Sequence, residues 1–176
     1  MCHYITLITD APDVRSLREV MDRHGRHAVP TANAYIQRML NSGEKQYSTT
    51  HSCDCGTVLG RVESPSPPND LTKIKERKVK SGWSKAKIDR WLSDRQKAAS
   101  RPDERLDIFD LWADVIQSVL SLADTSTVGL IVHAYEGRLD EEEFRLTRRE
   151  LRSDGDVVES LQNMREDELL VVRRPS

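Results

Sequence analysis

The chain has 176 residues, of which 37% are hydrophobic and 32% are charged, and its formal net charge at pH 7 is −2. This length predicts one domain with room for an insertion, and the composition excludes disordered and collagen-like chains. The sequence has no apolar run of the roughly 20 residues that span a bilayer and no secretory signal after Met1, so we expect a cytoplasmic protein.

The first part of the chain predicts alternating strands and helices. Residues 3–9 are β-prone, and apolar residues then recur at helical spacing over 14–24, with Asp13 as the N-cap and Gly25 as the stop. A short helix is predicted near 33–40 and a second strand over 45–51. A strand followed by a helix is typical of the opening of an α/β or α+β unit.

A helical segment is predicted between two β-rich parts of the chain. Residues 64–69 form a Ser/Pro-rich linker, and helices are expected over 71–80, 85–99 (capped by Ser84) and 103–123, the last with the clearest apolar stripe. Strands follow over 128–135, 144–151 and 168–174, with a short helix at 157–164. We therefore predict an α+β fold, with a mixed sheet built from 1–63 and 125–176 and a three-helix insert at 64–124.

The three cysteines, Cys2, Cys53 and Cys55, are too few for a disulfide framework, and their odd number leaves at least one thiol without an intramolecular bridge. This use of cysteine is typical of a reducing compartment, which agrees with the absence of a signal sequence. A core of this size needs neither a bridge nor a metal for stability.

The densest chemical motif is residues 51–56, His-Ser-Cys-Asp-Cys-Gly. If the strand at 45–51 continues through it, His51, Cys53 and Cys55 point to one face, and an antiparallel neighbour would bring Cys2 to the same place. Such a Cys₃His set suits tetrahedral zinc, although paired zinc cysteines are usually two to four residues apart and these are separated by one. The interpretation we favour from sequence is a turn at Asp54–Gly56 with the thiols packed as small hydrophobes and no cofactor.

The sequence predicts no enzyme. It contains no phosphate loop, GxGxxG turn, HExxH helix or GxSxG elbow. A minor alternative is that Cys2 becomes an N-terminal nucleophile after removal of Met1. His133 lies in an apolar strand, and we expect it to be a hydrogen-bonded core histidine.

Basic residues are concentrated in one segment. Residues 72–97 carry seven Lys and three Arg against three acidic residues, a net charge of +7, and the rest of the chain therefore carries −9. One interpretation is a helix-turn-helix that contacts nucleic acid, and the other is a solvated surface that docks an acidic or charge-mosaic protein. The predicted binding residues are Lys73, Lys75, Lys78, Lys80, Lys85, Lys87 and Arg90.

The leading functional hypothesis is a protein-binding module of the immunity or antitoxin kind, because catalytic motifs are absent and the charges are segregated. The segment has few Arg, Asn and Gln positions of the kind that read base edges, which favours a protein over nucleic acid. The second hypothesis is a nucleic-acid-binding regulator that uses residues 71–99, and the third is a zinc-dependent module on the Cys/His cluster.

Overall fold

The computed structural model describes residues 2–61, 75, 79, 83–99 and 108–175. A mixed sheet of six strands combines with helices, which confirms the predicted α+β class. The strands are β1 (Cys2–Thr9), β2 (Val29–Pro30), β3 (Lys45–Ser48), β4 (Thr127–Tyr135), β5 (Thr147–Arg152) and β6 (Glu168–Arg173). The helices are α1 (Val14–Arg23), α2 (Ala34–Gln37), α3 (Lys85–Ala99), α4 (Phe109–Leu120) and α5 (Val157–Gln162), and a 3₁₀ turn covers Leu59–Arg61.

The strand order in the sheet is β2-β3-β1-β4-β6-β5. Every neighbouring pair is antiparallel except β5 and β6, which are parallel and are connected through α5. The two central strands, β1 and β4, pair along their whole length, from Cys2 opposite Tyr135 to Thr9 opposite Val128. The two ends of the chain therefore build one sheet, as predicted.

One face of the sheet carries the larger hydrophobic core. Helices α1, α4 and α5 pack there, and Trp112 of α4 is fully buried among strand side chains. The strand residues on this face alternate along the chain, as the two-residue period of a strand requires. They include Ile5, Leu7, Val128, Leu130, Val132, Leu170 and Val172.

The opposite face carries a smaller core made by Ile8, Ile36, Ile131, Leu169 and Val171. Because both faces are covered, all nine residues of β4 are buried. This confirms the prediction that the continuously apolar run at 128–135 is a central strand.

Several local predictions are confirmed by the termini of the helices. The side chain of Asp13 accepts a hydrogen bond from the N–H of Arg15, and Gly25 follows α1 with a φ of +66°. The backbone N–H of Lys87 donates to Ser84 Oγ at 3.3 Å, so Ser84 caps α3 as predicted. Within the described residues, no helix combines the length and the apolar character that crossing a bilayer requires.

The chain divides into two compact units, residues 1–62 with 105–176 and residues 63–104. The third predicted helix, observed as α4, contributes Trp112, Val115, Ile116 and Val119 to the sheet's core and belongs to the first unit. This differs from the expected insert at 64–124, because the apolar stripe of α4 is buried against the sheet. The predicted helix at 71–80 lies outside the described residues, apart from Lys75 and Val79, which are helical and exposed.

The two edge strands differ from the central ones. Strand β2 has only two residues, one of which is Pro30. Strand β5 has the sequence Thr-Arg-Arg-Glu-Leu-Arg, and its charged side chains form ion pairs across and along the sheet. Strand β5 is shorter than the predicted 144–151, because Phe144 and Leu146 instead pack on the smaller core.

Candidate functional site

The three cysteines converge at one end of β1. Cys2 opens this strand, and Cys53 and Cys55 lie in the loop that follows β3. Their three sulfur atoms all lie within 4.8 Å of one another. The structure thus brings together three of the four residues predicted as a zinc site.

The cysteine loop is held by Asp54, which lies between the two thiols. Its backbone N–H donates to the carbonyl of His3 at 2.8 Å, and its Oδ2 accepts from the N–H of Ile5 at 2.8 Å. Next to it, the N–H of His3 points to the sulfur of Cys55 at 3.2 Å. The loop therefore follows the edge of β1 by mixed backbone and side-chain contacts, which fixes both thiols relative to Cys2.

Asp54 is itself buried, with 1% of its surface exposed. Its Oδ1 lies 3.4 Å from a guanidinium nitrogen of Arg26, and the hydroxyl of Thr49 lies 3.3 Å from both carboxylate oxygens. The guanidinium of Arg26 in turn lies over the ring of the core residue Trp112, at 4.6 Å from the centroid. The contact between Asp54 and Arg26 thereby connects the loop to the main core.

The strand geometry assumed for residues 51–55 is wrong. Strand β3 ends at Ser48, and the chain then bends, with a turn in which the N–H of Thr57 donates to the carbonyl of Asp54 at 2.9 Å. The turn at Asp54–Gly56 confirms the first part of the interpretation favoured from sequence. Because strand alternation does not apply, His51 does not join the thiols: it is exposed, and its ring lies 4.5 Å from that of His27.

The thiols differ in their surroundings. Cys2 and Cys53 are exposed and Cys55 is partly buried, so the first two are not packed as core residues, contrary to the interpretation favoured from sequence. Burial raises the pKa of Cys55 to about 11, and the neighbouring thiols of Cys53 and Cys2 add to this effect. Cys55 is therefore a protonated thiol at neutral pH unless a cation replaces the proton.

The basic residues that the structure describes are accessible. Lys75, Lys85, Lys87 and Arg90 are exposed, and Lys87 Nζ lies 4.1 Å from the centroid of the Trp83 ring. Between them on α3, Ile88 is 2% exposed, so the basic side chains lie on the outer face of this helix. The other predicted binding residues, Lys73, Lys78 and Lys80, lie outside the described residues.

Sequence reasoning missed a second cluster, around His133. This histidine is 6% exposed, and its Nδ1 lies 2.5 Å from Asp167 Oδ1, which confirms a hydrogen-bonded core histidine. The ring stacks on Phe144 at 3.8 Å between centroids and meets Tyr135 edge-on at 4.3 Å. The sequence signal was an ionisable residue inside a continuous apolar strand, but nothing in the strand itself pointed to the acidic residues that surround it.

Three carboxylates surround this histidine. Besides Asp167, an oxygen of Glu142 lies 3.5 Å from His133 Nε2, and one ligand atom each of His133, Glu166 and Asp167 lie within 4.8 Å of one another. Burial raises the pKa of Tyr135 to about 12, and the charges of Glu142 and Asp167 add to this effect. The cluster therefore places acidic side chains around one buried imidazole.

Comparison of the chain with protein-family models, curated proteins and solved structures found no match.

Proposed function

We propose that this protein is a zinc-binding module in which Cys2, Cys53 and Cys55 hold the ion as thiolates. The observation that supports this role best is the convergence of three sulfur atoms within 4.8 Å, since they come from chain segments about fifty residues apart. Free cysteines that only fill space are typically buried, whereas Cys2 and Cys53 are exposed.

The spacing of the thiols fits the chemistry of zinc. Zinc binds thiolates at about 2.3 Å, and a tetrahedral arrangement then separates two sulfur atoms by about 3.8 Å. The observed separations, all within 4.8 Å, exceed this value by at most about 1 Å. The fourth position is left to a water molecule or to His51, which reaches it only if its ring leaves His27.

The test is the zinc content of protein purified without chelator, followed by replacement of zinc with cobalt. We expect one zinc per chain and, in the cobalt form, a sulfur-to-cobalt charge-transfer absorption. Cys2→Ser, Cys53→Ser and Cys55→Ser should each lose the ion, whereas Ser52→Ala, in the same loop, should keep it. His51→Ala tests the fourth ligand. A wild-type chain without zinc, or cysteine variants that bind it as the wild type does, would refute the role.

A second candidate function is binding of an acidic or charge-mosaic protein through the basic face of α3. The observation that favours it is the exposure of Lys85, Lys87 and Arg90 around the buried Ile88, in a segment with a net charge of +7. A neutralising role of the immunity or antitoxin kind fits such a surface, because complementary charge gives specificity and fast encounter.

Nucleic acid is the competing ligand for this surface, and salt dependence separates the two. We expect only weak binding of duplex DNA that fades uniformly between low and physiological salt. Sequence-selective binding that survives physiological salt and disappears in a Lys85→Glu, Lys87→Glu, Arg90→Glu variant would favour the nucleic-acid regulator. The protein partner would be supported if one defined protein co-purifies with the wild type from the native host but not with this triple variant. Lys45→Glu, at an exposed position on β3, is the matched control and should keep that protein.

A further inference from the structure

We propose that His133, Glu166 and Asp167 form a second metal site, which takes a divalent first-row transition-metal ion, and that Glu142 orients the histidine from outside the coordination shell. One ligand atom from each of the three residues lies within 4.8 Å of the others. This site shares no residue with the thiol cluster, and it does not depend on the zinc-binding role proposed above.

The backbone holds the three donors in place. His133 lies near the end of β4, and Glu166 and Asp167 occupy the turn that leads into β6. The N–H of Asp167 donates to the carbonyl of Val132 at 3.0 Å, and the N–H of Ala134 donates to Glu166 Oε1 at 3.1 Å. The backbone of Asp167 and the carboxylate of Glu166 are therefore held by the two residues that flank His133 in the strand.

The histidine offers one ring nitrogen to this site and the other to Glu142. Among the residues that the structure describes, its Nε2 is buried without a hydrogen-bond partner and lies 3.5 Å from Glu142 Oε1, which is longer than an N–H···O hydrogen bond. Glu142 is held in turn, because its other oxygen accepts from the N–H groups of Glu136 at 2.9 Å and Gly137 at 2.8 Å.

This arrangement matches the outer shell of protein metal sites. A histidine that ligates a metal almost always gives its other N–H to a carboxylate, a carbonyl or water, which fixes the tautomer and the ring orientation. With an ion on Nδ1, the proton is held on Nε2, and a small movement of Glu142 completes the hydrogen bond. The stacked ring of Phe144 keeps the imidazole in the plane that both contacts require.

The donor set also indicates which cations would bind. One imidazole with two carboxylates is a donor set typical of manganese, iron, cobalt or zinc in the divalent state. These donors are harder than the three thiols of the first site, so this site should accept ions such as Mn²⁺ that the thiols bind poorly.

Manganese is the probe, because carboxylate ligands suit Mn²⁺ and thiolate ligands do not. The full chain is titrated with Mn²⁺, and the electron paramagnetic resonance signal of the free ion measures how much remains unbound. We expect one Mn²⁺ per chain, and the same in a Cys2→Ser, Cys53→Ser, Cys55→Ser variant, so failure of the thiol site leaves this result unchanged.

Four variants test the assignment. Asp167→Asn and Glu166→Gln should weaken Mn²⁺ binding at least tenfold. Asn tolerates the φ of +62° at position 167, so the first change spares the backbone. Glu142→Gln should weaken binding by about 10- to 100-fold and keep one ion per chain. Asp154→Asn, an exposed carboxylate elsewhere, should bind as the wild type does.

Thermal melting of each variant identifies any that fail to fold, and only folded variants are compared. Wild-type protein that leaves millimolar Mn²⁺ free would overturn the proposal. So would Asp167→Asn and Glu166→Gln variants that bind as the wild type does. Nitrogen chemical shifts that show His133 protonated on both nitrogens and unaffected by Mn²⁺ would also overturn it, because the imidazole would then only bridge Asp167 and Glu142.

Discussion

The carboxylate of Asp54 accepts a hydrogen bond from the backbone N–H of Ile5 at 2.8 Å, in a position where a paired strand would offer a carbonyl oxygen. The ladder between β1 and β3 reaches Thr6 and Ser48, and the N–H of Thr49 then donates to the carbonyl of Ile5 at 3.2 Å. Beyond that point the side chain of Asp54 makes the hydrogen bond that a further strand residue would make. This contact positions Cys53 and Cys55 beside Cys2.

Removal of this carboxylate should destabilise both the fold and the thiol cluster. We expect Asp54→Ala to lower the free energy of unfolding by about 2–4 kcal/mol, because the Ile5 N–H and the Arg26 guanidinium lose a buried partner. Urea denaturation measures this, and the zinc content should fall in parallel. Asp114→Ala, on the exposed face of α4, is the control and should change neither quantity. Unchanged stability of Asp54→Ala would contradict the anchoring role.

Gly60 should be intolerant of any side chain. A Cβ at this position would lie 1.9 Å from the carbonyl oxygen of Asp54, so the 3₁₀ turn and the cysteine loop must separate. Gly60→Ala should cost about 1–3 kcal/mol of stability or more, as overpacking usually does, and should weaken zinc binding. Gly137→Ala is the matched control, because its Cβ would come no closer than 3.6 Å to a side-chain oxygen. Equal stability of the two variants would argue against this close packing.

Zinc binding should release protons and weaken on acidification. The pKa of Cys55 is about 11, raised first by burial, so this thiol carries its proton at neutral pH and a zinc ion must displace it. Calorimetry in two buffers of different ionisation enthalpy should show release of at least one proton per zinc. The apparent affinity should fall about tenfold per pH unit for each proton displaced. Binding without proton release would contradict thiolate coordination by Cys55.

The ion pair between Glu44 and Arg148 should make stability depend on pH. The side chain of Glu44 is 2% exposed, and two nitrogens of Arg148 meet its oxygens at 2.9 and 3.1 Å. Burial alone would raise the pKa of Glu44, but the hydrogen bonds from Arg148 and from the N–H of Asn41 outweigh it, so the pKa is lowered. Its contribution is therefore complete above the unfolded-state pKa of about 4.3 and is lost as the pH falls through the lower folded-state value.

Arg148→Met should lower the free energy of unfolding by about 3–5 kcal/mol at pH 7, because it leaves a buried carboxylate unpaired. The difference from the wild type should be smaller at pH 3 than at pH 7, because protonation of Glu44 removes the unpaired charge. Urea denaturation at the two pH values measures both effects. Arg138→Met removes only exposed pairs, with Asp140 and Glu141, and should show no measurable change at either pH. A pH-independent effect of Arg148→Met would show that lost packing, not charge, is responsible.

Limited proteolysis tests the proposed organisation of the chain. We expect the first cuts within 61–70, because Ser/Pro-rich segments between units are preferred sites of nicking. First cuts inside 106–120 would contradict this, since α4 carries five core side chains that pack on the sheet.

Periodicity predicted the elements, but not what they contact. The apolar stripe of α4 indicated that one face of this helix is buried, and the unbroken apolar run of β4 indicated a central strand. Neither pattern says which element packs against the buried surface. Trp112 therefore seemed to belong to the helical segment, whereas it packs against the sheet.

The site residues were predicted less completely, for a related reason. The proximity of the three thiols was predicted from the positions of their segments along the chain. The contacts that hold them together come from the side chain of Asp54, and the alternation of a strand does not predict such contacts. The carboxylates around His133 come from two turns that the sheet topology brings together, and no spacing in the sequence links residue 133 to residues 142 and 167.

The two edge strands of the sheet affect how other proteins can bind to this one. At one edge β2 offers only two residues, one of them a proline without an N–H, and at the other β5 carries three arginines and one glutamate among six residues. Such edges resist the addition of a foreign strand, which protects against edge-to-edge aggregation and also rules against recognition by β-augmentation. A protein partner should therefore be recognised by side chains on helices and loops, and its affinity should respond to single charge substitutions rather than to changes in strand propensity.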